Sequence, residues 1–268
     1  MNKTKFFYSF FTGYEPRAKT NEVNTINSEW ESHVFPHSPI EELAPNLWHV
    51  TGIFPKEAFP PREMIIYKLP DSSLLIHSPI ALDESTIKQL ESLGKPKIII
   101  IPNPIHRLDA KVYKQRYPDL LVVTPAVVKP YAEKVVTVDA IAEEILPEFG
   151  IICHVPAGIN SQELAYQLSL PTGYALIFTD ILFNLTDEYL EKYVPKNKHL
   201  IYWIGAAGFF GITFLGKRFF MNDRKAYRQW LENLADSVQP LQVISVAHGE
   251  PITTNCSQRL RDAAARLK

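Results

Sequence analysis

A chain of 268 residues, 46% hydrophobic and 21% charged, can bury a large core and can do so as one α/β domain. Its 28 Lys and Arg nearly cancel 29 Asp and Glu, which excludes the basic footprint of a nucleic-acid binder. Cys153 and Cys256 lie far apart without metal-ligand spacing, so a reduced, cytoplasmic protein is expected.

In chain order, residues 1–40 are polar apart from a Phe-rich start at 6–11 and carry no sustained period, so they read as an appended, partly disordered arm. The Phe-rich run is short and followed at once by Gly, Glu, Pro and Arg, and so fails as a secretory signal. Residues 41–268 read as one domain. Asn46-Leu-Trp-His-Val50, Met64-Ile-Ile-Tyr-Lys-Leu69 and Leu74-Leu-Ile-His77 read as strands of an antiparallel meander, with a turn at 70–73. Asp83 caps a helix with Ile87, Leu90 and Leu93 at helical spacing, and Gly94 and Pro96 end it before an apolar strand at 98–101. A helix near 110–116 and a strand at 120–124 complete a further βαβ step. Strands follow at 151–155 and 164–170, then a hairpin turn at 171–174 into the strand that leads to Asp180. The apolar stretch 201–216 falls short of the roughly 20 residues a bilayer span needs and carries four glycines; it predicts a buried helix or a surface loop. Asn222 is placed as the cap of a helix whose Ala226, Tyr227, Trp230, Leu231 and Leu234 form one stripe. A strand ending at His248 and a helix with Leu260, Ala264 and Leu267 on one face close the chain. This order predicts two sheets sandwiched between helices.

Three apolar strands run into side chains that can ligate a metal: His106 and Asp109 after 98–101, Asp180 after 175–179, and His248 after 243–247. Loops at strand ends are where a rigid sandwich assembles chemistry. Each residue also has a plain alternative: Asp180 as a carboxylate capping its turn, His106 and His248 as imidazoles steadying theirs, with Gly249 permitting a tight bend. His77 and Ser78 form a candidate nucleophile pair, with His106 or His248 as base. His33, His37, His49 and His199 are assigned no specific role, and Cys153 and His154 are read as packing. No nucleophile elbow, phosphate-cradling loop or dinucleotide fingerprint is present. Trp203, Phe209, Phe210, Phe214, Phe219 and Phe220 either roof an apolar pocket or pack against the sheet or a second subunit.

Taken together, Asn46-Leu-Trp-His-Val50, the strand at 74–76, the helix ending Leu93-Gly94, Phe178-Thr-Asp-Ile-Leu-Phe183 and Ala247-His-Gly249 resemble the metallo-β-lactamase fold superfamily. More narrowly, His77-Ser-Pro-Ile-Ala-Leu82, Pro102-Asn-Pro-Ile-His106, Thr179-Asp-Ile-Leu-Phe-Asn184 and Asp223-Arg-Lys-Ala226 resemble the DUF4336 family within that fold. The resemblance covers about residues 40 to 268 and implies a four-layer αβ/βα sandwich. It also implies a cation site, which in that superfamily is built from a His-x-His-x-Asp-His loop, an isolated His, an Asp and a final His. Asp180 and His248 match the last two. If His106 answers to the loop's second histidine, Pro104, Leu108 and Asp109 replace the other three members. If Asn103 answers to the first, Ile105, Arg107 and Leu108 fill the remaining places and His106 falls between them. Ile159 stands where the isolated histidine belongs, and His77 replaces the usual structural Asp of the first sheet.

Two functions follow from the resemblance. One is a metal-dependent hydrolase with a depleted set, in which His106, Asp180, His248 and Asp109 hold one divalent ion, zinc, or iron for redox chemistry. It would act on an ester-like or amide-like bond of a small-molecule substrate. The other is a metal-free binding or scaffold protein on the same fold. No nucleic-acid partner and no membrane span are expected. A homo-oligomer would form through the arm or residues 201–220.

Overall fold

The computed structural model describes residues 26–53, 60–160 and 163–267. One sheet has seven strands in sequential order: β1 (Glu41–Ala44), β2 (Leu47–Gly52), β3 (Arg62–Lys68), β4 (Leu74–His77), β5 (Pro96–Ile100), β6 (Leu121–Thr124) and β7 (Ala140–Ile141). Strands β1 to β4 pair antiparallel, and β4 to β7 pair parallel. The change of direction follows from what joins the strands: short turns link β1 to β2 and β3 to β4, and helices α2 (Glu84–Leu93), α3 (Ala110–Arg116) and α4 (Lys129–Ala132) link the strands after β4, with α5 (Ala142–Ile145) following β7. The second sheet comprises β8 (Ile152–His154), β9 (Ala165–Leu170), β10 (Gly173–Ile177) and, beyond a short β11 (Phe183–Asn184) and β12 (Phe210–Gly211) pair, β13 (Leu241–Ser245); its order is β13-β10-β9-β8.

Strand alternation sorts the side chains into layers. On β3, Met64 and Ile66 face α2 and α3, where they meet Ile87, Leu90, Val112 and Tyr113. Ile65 and Tyr67 face the second sheet and pack with Tyr166, Leu168, Ala175, Ile177 and Val243. From the far face of that sheet, Leu176, Phe178 and Ile244 pack under α9 (Arg224–Ser237) and α10 (Cys256–Ala265) through Tyr227, Leu231, Leu234 and Leu260. The result is the four-layer αβ/βα sandwich that the sequence predicts. A register slip of one residue would turn each of these apolar sets outward, so the alternation fixes the pairing.

Asp83 caps α2, its carboxylate accepting from Thr86 N at 2.8 Å, as expected. The cap of α9 is Asp223, which accepts from Ala226 N at 2.9 Å, and not Asn222, whose backbone N–H goes to Gly158 O at 3.0 Å. The hairpin at 171–172 joins β9 to β10 with Leu170 opposite Gly173. The apolar stretch 201–216 is divided between the end of α7 (Lys198–Trp203), β12 and the start of α8 (Phe214–Phe219). Its aromatics split: Phe210 and Phe220 are buried, whereas Trp203 and Phe214 are 84% and 63% exposed. Within the stretch read as an arm, α1 (Ile26–His33) packs on α3, and Trp30, buried, donates its indole N–H to Leu82 O at 2.9 Å. The Phe-rich start lies outside the described residues. Among the described residues no helix is long and apolar enough to cross a membrane.

Candidate metal centre

The parallel strands and β10 and β13 deliver their C-terminal ends to one rim. After β5 the chain enters a loop stapled by Asn103, whose Oδ1 accepts from Ile105 N at 2.9 Å and His106 N at 3.0 Å. This staple, between Pro102 and Pro104, turns His106 inward to 4% exposure. Asp180 follows a bend two residues beyond β10. His248 follows β13, where Gly249 at φ +117 lets the backbone pass so close to Asn184 that a Cβ would lie 2.2 Å from Asn184 O. The ring of His248 stacks on Phe183 at 5.4 Å and 19°.

These three side chains converge. One ligand atom from each of His106, Asp180 and His248 lies within 4.8 Å of the others. Asp180 Oδ1 is 3.5 Å from His106 Nε2 and 3.4 Å from His248 Nε2. Both imidazoles spend Nδ1 elsewhere, His106 on Ser78 Oγ at 2.8 Å and His248 on Pro61 O at 2.8 Å. A carbonyl can only accept, so His248 carries its proton on Nδ1 and turns a lone pair at Nε2 toward Asp180. His106 Nε2 and Asp180 Oδ1 are buried and have no hydrogen-bond partner among the described residues. Leaving such atoms bare costs about 1–3 kcal/mol each, and more for a charged one. The geometry is that of two imidazole nitrogens and a carboxylate oxygen aimed at one point.

The other oxygen of Asp180 accepts from Asn103 Nδ2 at 2.7 Å, and the same amide nitrogen reaches Glu163 Oε2 at 3.2 Å. Glu163 in turn accepts from the backbone N–H groups of Asp180 and Ile181 at 2.9 Å. Burial and the neighbouring Asp180 charge push the Glu163 carboxyl up. Burial works the same way on Asp180, but His106 and His248 beside it and the Asn103 amide hold it below the usual carboxylate range. Burial lowers His248, with the Asp180 charge opposing.

Asp109 does not join the group. Its carboxylate accepts from the Arg62 guanidinium, from His33 Nδ1 at 2.9 Å and from Ala81 N at 3.1 Å. Three donors occupy it on the helical side of the first sheet, three residues from His106 in sequence but facing another way. His33 and His49, given no role from sequence, both make specific bonds, the latter with the buried Glu63 at 2.9 Å. Ser78 takes positive φ, +56, directly after β4, which brings its hydroxyl to His106. Asn103 entered the sequence reading only as a motif register. Nothing there marked Glu163 or the Pro61 carbonyl, because their roles depend on contacts across 17 and 187 residues. The described groove of about 1090 Å³, lined by Trp30, Leu82, Glu84, Arg116 and Tyr117, holds none of the three converging residues.

No family model and no curated protein matches the chain. Solved structures do. DIM-1 metallo-β-lactamase superposes with a TM-score of 0.59 at 10% identity, covering 87% of this chain and 100% of that one. FIM-1 metallo-β-lactamase from Pseudomonas aeruginosa, in its mono-zinc form, gives 0.54 at 12%, covering 85% and 96%. A metallo-β-lactamase from Erythrobacter litoralis gives 0.57 at 12%, with the same coverage. The chain therefore has the metallo-β-lactamase fold.

Proposed function

We propose that this chain is a mononuclear metal-dependent hydrolase of the metallo-β-lactamase fold, from its DUF4336-like branch, acting in a reducing, cytoplasmic compartment on a small ester or amide. The observation that carries this reading is the convergence of two imidazoles whose Nδ1 atoms are committed elsewhere on one bare carboxylate oxygen. One zinc or iron ion fits that donor set, held by His106 Nε2, His248 Nε2 and Asp180 Oδ1, and FIM-1 is a mono-zinc precedent on the fold. Such an ion, when bound, lowers the pKa of water toward neutrality and polarises a carbonyl. The chain's own part is positioning. Ser78 and Pro61 orient the two rings, Asn103 fixes both the His106 loop and Asp180, and Glu163 holds the backbone on which Asp180 is mounted. Asp109 is left out of the ligand set because its oxygens are occupied.

A second reading, a metal-free binding or scaffold protein, is supported by the Asn103 amide lodged between two carboxylates and by Pro104, Leu108 and Ile159 at places the resemblance reserves for ligands. Elemental analysis of protein purified without chelator separates the two. The hydrolase reading expects close to one zinc or iron per chain, lost in Asp180→Asn. Folded wild-type protein that carries no metal and takes up none on addition of zinc or ferrous iron would leave only the scaffold.

A further inference from the structure

Five of the eight large apolar side chains exposed among the described residues fall in one place: Leu200, Tyr202, Trp203, Phe214 and Leu215, on α7 and α8. The two helices meet where Phe214 N donates to Gly205 O at 3.2 Å, so the Trp203 end of α7 lies against the start of α8. Beneath them Ile201, Ala206 and Ala207 are buried in a small core with Leu185, Tyr189 and Leu190. The outward aromatics are thus presented by a packed base. An exposed Trp beside Phe and Leu is the composition of a surface that meets a partner.

The charge around this face indicates the partner. Lys217 and Arg218 lie one turn along α8 from Phe214 and Leu215, and Arg218 is exposed. Partial burial, with the charges of Arg266 and Arg224 added, pushes the Lys217 ammonium down, so these cations share one neighbourhood. Arg266 lies over the Phe209 ring at 4.3 Å. On the α6 side (Asp187–Tyr193), Asp187 and Glu191 share the single Lys198 ammonium at 2.8 and 3.2 Å, so they are only partly neutralised and the cationic rim is confined to the α8 side. An anionic surface complements this rim. We propose that the α7–α8 face docks on an anionic bilayer surface, with Trp203 and Phe214 entering the headgroup layer and Lys217, Arg218 and Arg266 meeting lipid phosphates and carboxylates. Aromatic side chains favour that layer, and a cationic rim adds an attraction that salt screens.

The test is co-sedimentation of the full chain with vesicles of phosphatidylcholine alone or with about 30% phosphatidylserine, run beside light scattering in free solution. The expected result is a monomer that sediments with the anionic vesicles about tenfold more tightly than with neutral ones, releases at high salt, and loses about tenfold in Trp203→Ser/Phe214→Ser and in Lys217→Glu/Arg218→Glu. All variants should keep the wild-type unfolding midpoint, since Trp203, Phe214 and Arg218 are exposed and Lys217 is only partly buried. No sedimentation with anionic vesicles, or sedimentation unchanged in the double variants, overturns the proposal. So does a solution dimer that Trp203→Ser converts to monomers, which would assign the face to a second copy.

Discussion

Asp109 and Asp180 are equally buried carboxylates at strand-end loops, yet their surroundings differ in kind. Asp109 is answered by a guanidinium, an imidazole and a backbone N–H, and its charge is neutralised within the protein. Asp180 is answered on one oxygen only; the other stands bare between two imidazole nitrogens. Burial and acidity therefore do not mark a site. What marks it is charge that the fold carries inward and then leaves unfinished, because only an added cation completes it.

The largest effect is expected where the charge is already balanced. Asp109→Ala leaves Arg62, 3% exposed, as an uncompensated buried cation, and breaking such a pair costs about 3–5 kcal/mol. Urea unfolding at neutral pH should show this loss, while the protein that remains folded keeps its metal content. Equal loss of metal would mean that Asp109 belongs to the centre after all.

Asp180→Asn should do the reverse. Metal affinity falls at least about 100-fold, near 2.7 kcal/mol, because a charged ligand becomes neutral, while the metal-free fold loses much less than in Asp109→Ala, since no buried guanidinium is left without a partner. Calorimetric zinc titration and chelated unfolding curves read the two effects separately. A large loss of stability in the chelated variant would contradict the idea that this carboxylate is unfinished.

The contrast extends to imidazoles. His77 faces the inter-sheet core beside Tyr166 with neither nitrogen partnered among the described residues, and burial, aided by the His106 charge, lowers its pKa to about 3. Between that value and the unfolded value of 6.5, the unfolded chain binds one more proton. Stability is therefore fully present above pH 6.5 and falls as the pH drops toward 3. The contribution of His77 between pH 8 and pH 5 is about 2 kcal/mol. His77→Phe should flatten the pH dependence by that amount while changing little at pH 8, where only a neutral, unbonded ring is replaced. An unchanged slope would show that His77 finds a proton partner in the native state.

Much of this arrangement was legible in the sequence for a simple physical reason: the nearly unbroken apolar runs at 64–67 and 98–101 specify strands with two buried faces. The converging residues Asp180 and His248 were legible because a polar residue ending an apolar strand has little choice of location, and Gly249 announces the turn that aims the second. Asp109 could not be sorted from His106, three residues away, because its partners Arg62 and His33 come from 47 and 76 positions off. Helix α1 was hidden by a sequence that is mildly amphipathic at best and gains its place through long-range contacts of Glu29, Trp30 and His33. The cap of α9 slipped by one residue because Asn222 and Asp223 are both good caps, and only the Asp223 carboxylate, which accepts from Ala226 N at 2.9 Å, decides between them.

The smallest expected effect tests the finest feature of the open site, the hydroxyl behind His106. If His106 ligates through Nε2, its Nδ1 proton must be accepted by Ser78 Oγ, and losing such an orienting partner weakens metal binding about 10–100-fold. The lower figure applies here, since Asn103 continues to hold the His106 backbone. Ser78→Ala and Ser78→Gly should both show about tenfold weaker zinc binding. They should differ in stability, because φ +56 strains alanine and suits glycine, by about 1 kcal/mol in favour of Ser78→Gly. The pair thereby separates the two things Ser78 does. If zinc affinity followed stability, falling in Ser78→Ala and holding in Ser78→Gly, the serine would be there for the backbone bend and not for the imidazole. The inferred tautomer of His106, and with it the aim of Nε2 at Asp180, would then lack its support.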